Sequence, residues 1–263
     1  MEIRILAVGD IVGRPGRDLL LERLPDFVRD HDIDFTIANA ENAAAGSGVT
    51  PGILSDLFTA GIDVITTGDH VWRRREVIPR LEKDERVLRA ANFKRGTPGR
   101  GYTVQPCRKG VEIGVVHLIG RVYMGPIDCP FAAADEALRE MGQRTRVLVA
   151  EIHAEATSEK VAMGYYLDGR VSVVFGTHTH VPTADIGLLP NGTAYVTDLG
   201  MTGPYRSILG RRIDRVLHRF VTGMPAPFDV ATEDVRAGMA IFTVDPSSGR
   251  ALAAERVEIR AQG

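Results

Sequence analysis

Residues 3–17 read IRILAVGDIVGRPGR, and the order of residue types in this stretch decides the fold class. Ile3 to Val8 is an apolar run with little alternation, the pattern of a strand covered on both faces. An aspartate, Asp10, closes it. A turn rich in glycine and proline follows, and then Leu19, Leu20, Leu24, Phe27 and Val28 recur at helical spacing from Gly16 to Asp30. Pro25 falls inside that helix and is expected to kink or divide it. Buried strand, acidic strand end and helix are the opening unit of an α/β sheet.

The unit repeats along the chain. Phe35–Ala40 reads as a strand. Pro51–Ala60 reads as a helix with Pro51 at its first turn and Thr50 as N-cap. Strands follow at Val64–Thr67 and Val87–Ala90. Tyr102–Pro106 and Val111–Leu118 are expected to form a hairpin about Lys109–Gly110. Helices are expected at Ala132–Gln143, Ser158–Leu167 and Ser207–Thr222, the last with Arg211, Arg215 and Arg219 on one face. Strands are expected at Val147–Ala150, Val171–Phe175 and Thr193–Asp198, and a closing hairpin joins Gly238–Val244 to Ala251–Ile259. No repeat, low-complexity tract or linker interrupts this series, so residues 1–263 read as a single mixed α/β domain with two sheets flanked by helices.

Composition narrows the class further. The chain has 263 residues and is 44% hydrophobic, enough for a substantial core. Lys and Arg number 32 against 34 Asp and Glu, a net of -2, which argues against a dedicated binder of duplex nucleic acid. Cys107 and Cys129 form no paired motif, as expected in a reducing compartment. The N-terminus reads as a strand rather than a signal peptide, and no apolar run is long enough for a membrane span. A cytoplasmic protein without a membrane partner is the expectation.

The chemistry lies at the strand ends. In open α/β sheets, ligands bind beyond the carboxyl ends of the strands. Here Asp10 follows the first strand, Glu41 and Asn42 the second (ANAEN, 38–42), and Asp69 and His70 the third (TTGDH, 66–70). His153 closes VAEIH at 149–153, and His178 and His180 close FGTHTH at 175–180. Singly, each has a plain structural reading: Asp10 a helix cap, Glu41–Asn42 a turn, His153 a core histidine. In a strand continuation, His178 and His180 would point the same way. Five strand ends offering carboxylate, amide and imidazole groups, with no thiolate, suit Mn, Fe or Zn. The set is too large for one ion and fits two. Two ions roughly 3.5–4 Å apart can clamp a phosphoryl group and acidify a water. His31 and His218 read as surface residues and His117 as a core residue.

Together these stretches resemble the calcineurin-like metallophosphoesterases, in the form of the YmdB-like branch. The matching segments are GDIVGRPGR (9–17), ANAENAAAGSGVT (38–50), TTGDHVW (66–72), EIHAEATSEK (151–160), GTHTHVPTAD (176–185) and TDLGMTGP (197–204). The resemblance implies a four-layer α/β/β/α sandwich. It implies a phosphodiesterase with two metal ions, iron foremost and manganese as a replacement, acting on 2′,3′-cyclic nucleotides. By the same resemblance Asp10 and His180 would bind the first ion, Asp69, His153 and His178 the second, and Glu41 would bridge them. Asn42 would be a ligand or a phosphate contact. His70 would not ligate; it would protonate the leaving oxygen as a metal-activated water attacks phosphorus. Two departures stand out. Val12 occupies the place of a ligand histidine of the wider superfamily, which thins the first ion's shell. Asp69 replaces the customary Asn, giving three carboxylates with Asp10 and Glu41, and that charge favours an Fe(III)/Fe(II) pair or tighter binding.

Competing classes lack their signatures. GDIVGRPG has the wrong spacing for GxGxxG, no GK[ST] follows, and Ser47 lies in GSG rather than GxSxG. A phosphomonoesterase, or a regulator of RNA processing that keeps a metal site, remains open as the alternative. Arg73, Arg74 and Arg75 read either as a solvated turn or as a lure for an anionic small substrate. The segment VYMGPIDCPF (122–131) reads either as site lining or as a subunit contact in a homo-oligomer.

Overall fold

The computed structural model describes residues 1–261. In chain order the first half contains β1 (Ile3–Val8), β2 (Asp10–Ile11), α1 (Gly13–Asp30), β3 (Phe35–Asn39), α2 (Pro51–Thr59), β4 (Val64–Thr66), α3 (Ile78–Lys83), β5 (Val87–Leu88), β6 (Tyr102–Pro106) and β7 (Glu112–Ile119). There follow α4 (Pro130–Met141), β8 (Val147–His153), α5 (Thr157–Leu167), β9 (Val173–Thr177), β10 (Gly187–Leu188), β11 (Ala194–Val196), β12 (Met201–Pro204), α6 (Ile213–Thr222), β13 (Val235–Val244) and β14 (Ala251–Arg260).

These strands make two sheets. The larger has the order β2-β12-β13-β1-β3-β4-β5, with β14 also paired to β13; the smaller runs β10-β11-β9-β8-β7-β6. β1, β3, β4 and β5 are parallel, and so are β7, β8, β9 and β11. The carboxyl ends that carry the candidate ligands are therefore neighbours within each sheet.

Alternation along the strands builds the layers. Ile3, Ile5, Ala7, Phe35, Ile37 and Val64 face Ile113, Val115, Val147, Val149, Val173 and Phe175 of the other sheet. Leu6, Val8 and Ile65 turn the opposite way, onto Leu19, Leu20 and Leu24 of α1 and Leu54 and Leu57 of α2. Val116, Leu118, Leu148 and Ile152 meet Ala134, Leu138 and Met141 of α4 and Met163 and Leu167 of α5. The result is the expected helix, sheet, sheet, helix sandwich. Each fully buried Leu, Ile or Val adds about 1.5–3 kcal/mol relative to exposure.

Local expectations hold where local rules govern. Thr50 caps α2 by accepting the Ile53 N–H at 3.3 Å, and Pro51 opens the helix. Two expectations change. α1 passes through Pro25 without dividing; Pro25 and Leu21 are both on the exposed face of the helix, where a missing hydrogen bond to the Leu21 carbonyl is tolerated best. The last helix begins at Ile213 rather than Ser207. Leu209 (φ 51°) and Gly210 (φ 87°) are left-handed, which a helix cannot continue through. Arg211 is thereby removed from the face of Arg215 and Arg219, and its guanidinium donates to the carbonyls of Gly46 and Phe228.

α1 crosses β12 at very close range. A Cβ on Gly16 would lie 2.1 Å from the Thr202 carbonyl oxygen, whereas one on Gly52 in α2 would meet nothing within 4 Å. Gly16→Ala is expected to lower stability by about 1–3 kcal/mol, as overpacking does. Gly52→Ala is expected to leave it unchanged or raise it by up to about 1 kcal/mol. Urea denaturation of the two variants beside the parent chain measures both.

Candidate metal centre

The strand ends converge between the two sheets. Asp10 lies in the short β2, which pairs with β12, and Glu41 and Asn42 follow β3. Asp69 and His70 follow β4; His153 is the last residue of β8, and His178 comes one residue after β9. The larger sheet supplies the three carboxylates and the His70 ring, and the smaller sheet the imidazoles of His153, His178 and His180.

Two groups of donors form there, each with ligand atoms within 4.8 Å of one another. One holds Glu41, Asp69, His153 and His178; the other holds Asp10, Glu41 and His180. Glu41 belongs to both. His153 Nε2 lies 3.1 Å from Glu41 Oε2, 3.2 Å from Asp69 Oδ1 and 3.1 Å from His178 Nδ1. Asp10 is fully buried; its Oδ2 accepts the His178 N–H at 3.0 Å, and its Oδ1 has no hydrogen-bond partner among the described residues. An orphaned, buried carboxylate oxygen in a group of acids and imidazoles fits a bound cation.

His178 and His180 do not continue a strand. Their φ values are 96° and 64°, and each ring enters a different donor group. His178 Nε2 faces Glu155 Oε2 at 3.1 Å. His180 Nδ1 donates to the Leu209 carbonyl at 3.1 Å, which leaves Nε2 as an acceptor. Partners of this kind orient an imidazole for a metal. Asn42 donates from Nδ2 to Glu41 Oε1 at 2.7 Å, and its Oδ1 accepts from His70 Nδ1 at 2.8 Å. His70 Nδ1 also lies 3.3 Å from Glu41 Oε1, while its Nε2 has Asp69 Oδ2 at 3.9 Å. All the residues singled out in the sequence as site residues thus lie in one place. Arg73, Arg74 and Arg75 are exposed beyond His70.

The electrostatics show how much the cluster depends on charge balance. Burial pushes the Asp10 carboxyl well above the ordinary range, with His153 opposing and Glu41 and Asp198 adding to the rise. Burial acts on Glu41 in the same direction, but His153 and His70 outweigh it and hold that carboxyl low. Burial opposes charge on His153, yet Glu41, Asp69 and Asp10 raise its pKa well above 6.5. Burial and the neighbouring His153 depress His178 to about 4. Burial lowers His180.

Several residues here escaped the sequence reading. His117, read as core, is fully buried and accepts the Gly68 N–H on Nε2 at 3.1 Å. Glu151 is fully buried beside it; burial opposes its charge, but His117 and His153 hold its pKa at about 2. Lys160 and Asp198 form a buried ion pair at 2.6 Å. Acidic and basic residues on an otherwise apolar strand or helix, as in VAEIH and TSEK, were the available signal.

Two sheets between helix layers, with carboxylates and imidazoles gathered at their strand ends, define the architecture of the metallophosphoesterases. Within that class, the model of the YmdB-like protein family matches residues 6–257, and the chain belongs to this family. It is 44% identical over 98% of its length to the 2′,3′-cyclic-nucleotide 2′-phosphodiesterase of Bacillus subtilis, of which it covers 97%. Among solved structures, a hypothetical protein from Thermus thermophilus superposes with a TM-score of 0.92 at 42% identity, over 99% of this chain and 100% of that one. A novel phosphatase from Mycoplasma pneumoniae also superposes at 0.92, at 29% identity, over 99% and 94% of the two chains. Among the described residues, no helix is long and apolar enough to cross a membrane.

Cation loading is expected to stabilise the chain strongly. With free Mn(II) at a hundred times its dissociation constant, one site adds about 2.7 kcal/mol, and EDTA should reverse the rise in Tm. Because the surrounding carboxylates raise the pKa of His153 in the metal-free chain, binding should release protons and weaken as pH falls. Calorimetric titration in buffers of different ionisation enthalpy checks this.

Proposed function

We propose that the protein is a dinuclear-metal phosphodiesterase that hydrolyses 2′,3′-cyclic nucleotides. The observation that carries this reading is the sharing of Glu41 between two donor groups, with His70 held alongside them through Asn42. The activity in the name of the Bacillus subtilis relative supports the substrate class.

Asp10, Glu41 and His180 would hold one ion, with Glu41, Asp69, His153 and His178 holding the other. Oxygen and nitrogen donors with no sulfur suit iron, with manganese as a substitute. Bound there, the pair supplies Lewis acidity and a water ionised near neutral pH. The chain's own residues do the rest. Glu41 and Asn42 fix His70 through Nδ1, which leaves Nε2 as the proton-bearing atom for substrate. The Glu41 contact raises the pKa of His70, against the effect of burial, which favours the charged ring that can give a proton from Nε2. In a 2′,3′-cyclic phosphate, water adds to phosphorus, one ribose oxygen leaves, and His70 Nε2 supplies the proton to that oxygen. The product is a nucleoside monophosphate. Arg73, Arg74 and Arg75, exposed beyond His70, are placed to attract an anion of this size.

The test is hydrolysis of 2′,3′-cyclic AMP by protein of measured metal content, beside 2′-AMP and 3′-AMP. Turnover of the cyclic diester with about two ions per chain is the expected result. His70→Ala should keep the metals and lose about 10²–10⁴ in kcat. Preference for the monoesters would replace the diester reading with a phosphomonoesterase. As a general acid, His70 must be protonated, so the rate should fall on the alkaline side as pH passes its raised pKa.

A further inference from the structure

Behind the metal centre a single buried carboxylate reaches two of its ligand-bearing segments. Glu151 Oε1 accepts from the Thr177 hydroxyl at 2.7 Å and from Asn39 Nδ2 at 2.7 Å. Its Oε2 lies 3.2 Å from His117 Nδ1. Glu151, His117, His153 and Thr177 are fully buried, and Asn39 nearly so.

Following the protons along these contacts fixes two tautomers. A hydroxyl has one hydrogen. Thr177 gives its hydrogen to Glu151, so Thr177 Oγ1 can only accept from His153 Nδ1, 2.9 Å away. With Nδ1 committed as the donor to Thr177, the nitrogen that His153 frees on losing its second proton is Nε2, which faces Glu41, Asp69 and His178. The Asn39 amide nitrogen stands farther from His153 Nδ1, at 3.3 Å, and its amide oxygen accepts the Glu41 N–H, which fixes the orientation of the amide. On the other arm, His117 Nε2 accepts the Gly68 N–H, so the ring proton is on Nδ1, which stands 3.2 Å from Glu151 Oε2 as a charge contact without hydrogen-bond alignment. Gly68 immediately precedes Asp69 and has φ 50°. Its own space is closed: a Cβ there would lie 1.8 Å from Glu41 Oε2. The peptide that aims Asp69 is therefore held from behind by His117 and in front by Glu41.

Both arms end on the same donor group, that of Glu41, Asp69, His153 and His178. We propose that Glu151 is a positioning residue for that group alone, setting the tautomer of His153 through Thr177 and the placement of Asp69 through His117 and Gly68. The group of Asp10, Glu41 and His180 meets this relay less directly: Glu41 is shared, Asp10 Oδ1 stands 3.8 Å from His153 Nδ1, and Asp10 Oδ2 accepts the His178 N–H. This rests on the reading of His153 as a metal ligand.

Thr177→Val keeps the shape of the side chain and removes the hydroxyl. Glu151→Gln keeps the shape but places an N–H toward His117 Nδ1, which turns the ring's other proton against the Gly68 N–H. Mn(II) titrations, followed by metal analysis and by EPR, should show two ions in the parent chain with a spin-coupled signal. In Thr177→Val and Glu151→Gln, one ion should weaken by about 10–100-fold while the other binds as before, giving an uncoupled signal at limiting Mn(II). Thr177→Ser should restore the parent behaviour, a rescue that a packing role would not predict. Equal binding of both ions in Thr177→Val, equal weakening of both, or failure of Thr177→Ser to restore the coupled signal overturns the proposal. Absence of metal binding by the parent chain would instead overturn the reading of the site. Should Glu151→Gln not fold, the Thr177 pair decides alone.

Discussion

Glu41 is almost completely buried, yet it carries charge at the point where the two sheets meet. Removing a carboxylate from water costs several kcal/mol unless partners offset it. Those partners come from distant parts of the chain: Asn42 beside it, the His70 N–H and ring from the end of β4, and His153 from β8. The ends of β3, β4 and β8 therefore have to arrive within hydrogen-bond distance of one side chain, with the other donors within 4.8 Å. The parallel order of β1, β3 and β4 in one sheet and of β8 and β9 in the other makes this arrival automatic once the sheets stack.

Close approach is the second consequence of that convergence. Gly176, near the end of β9, stands where a Cβ would lie 1.8 Å from the Thr197 carbonyl oxygen, and Gly9 stands 2.1 Å by the same measure from the Gly200 carbonyl oxygen. Backbone passes against backbone at both places, and only a residue without a side chain permits it. These contacts bring the loops after β1, β9 and β11 together, which is what places Asp10 under the His178 amide.

The parts of this arrangement governed by local pattern were legible in the sequence. Buried runs marked β1, β3, β8 and β9, the Thr50–Pro51 pair marked α2, and the residue after each run marked the site. What escaped depends on long-range pairing. β2 and β12 are two and four residues long, too short to carry a period, and exist because they pair with each other and with β13. His117 sits in a run of apolar residues, and nothing near it in sequence discloses that β7 lies beside β8 with His117 opposite Glu151. The helix expected from Ser207 fails for a reason invisible to periodicity: the Leu209 carbonyl is taken by His180 and the Arg211 side chain by the loop at Gly46.

The loop of His178 and His180 shows why fold and site are inseparable. Left-handed backbone at two non-glycine residues costs of order 1–3 kcal/mol each and persists only where the surroundings over-determine it. Here Asp198 accepts from the Thr179 N–H at 3.2 Å and the Thr179 hydroxyl at 2.8 Å, while Lys160 donates to the Thr177 carbonyl at 3.1 Å and to Asp198 itself. Breaking a buried pair of this kind from one side costs about 3–5 kcal/mol, because it leaves an uncompensated buried charge, so the loop cannot relax away from these partners without that penalty. The strain has a structural return: alternate left-handed residues turn the two rings into different donor groups, where an extended strand would send both to one. A lysine on α5 and an aspartate after β11 thus decide that the two rings of one HxH sequence enter two donor groups rather than one.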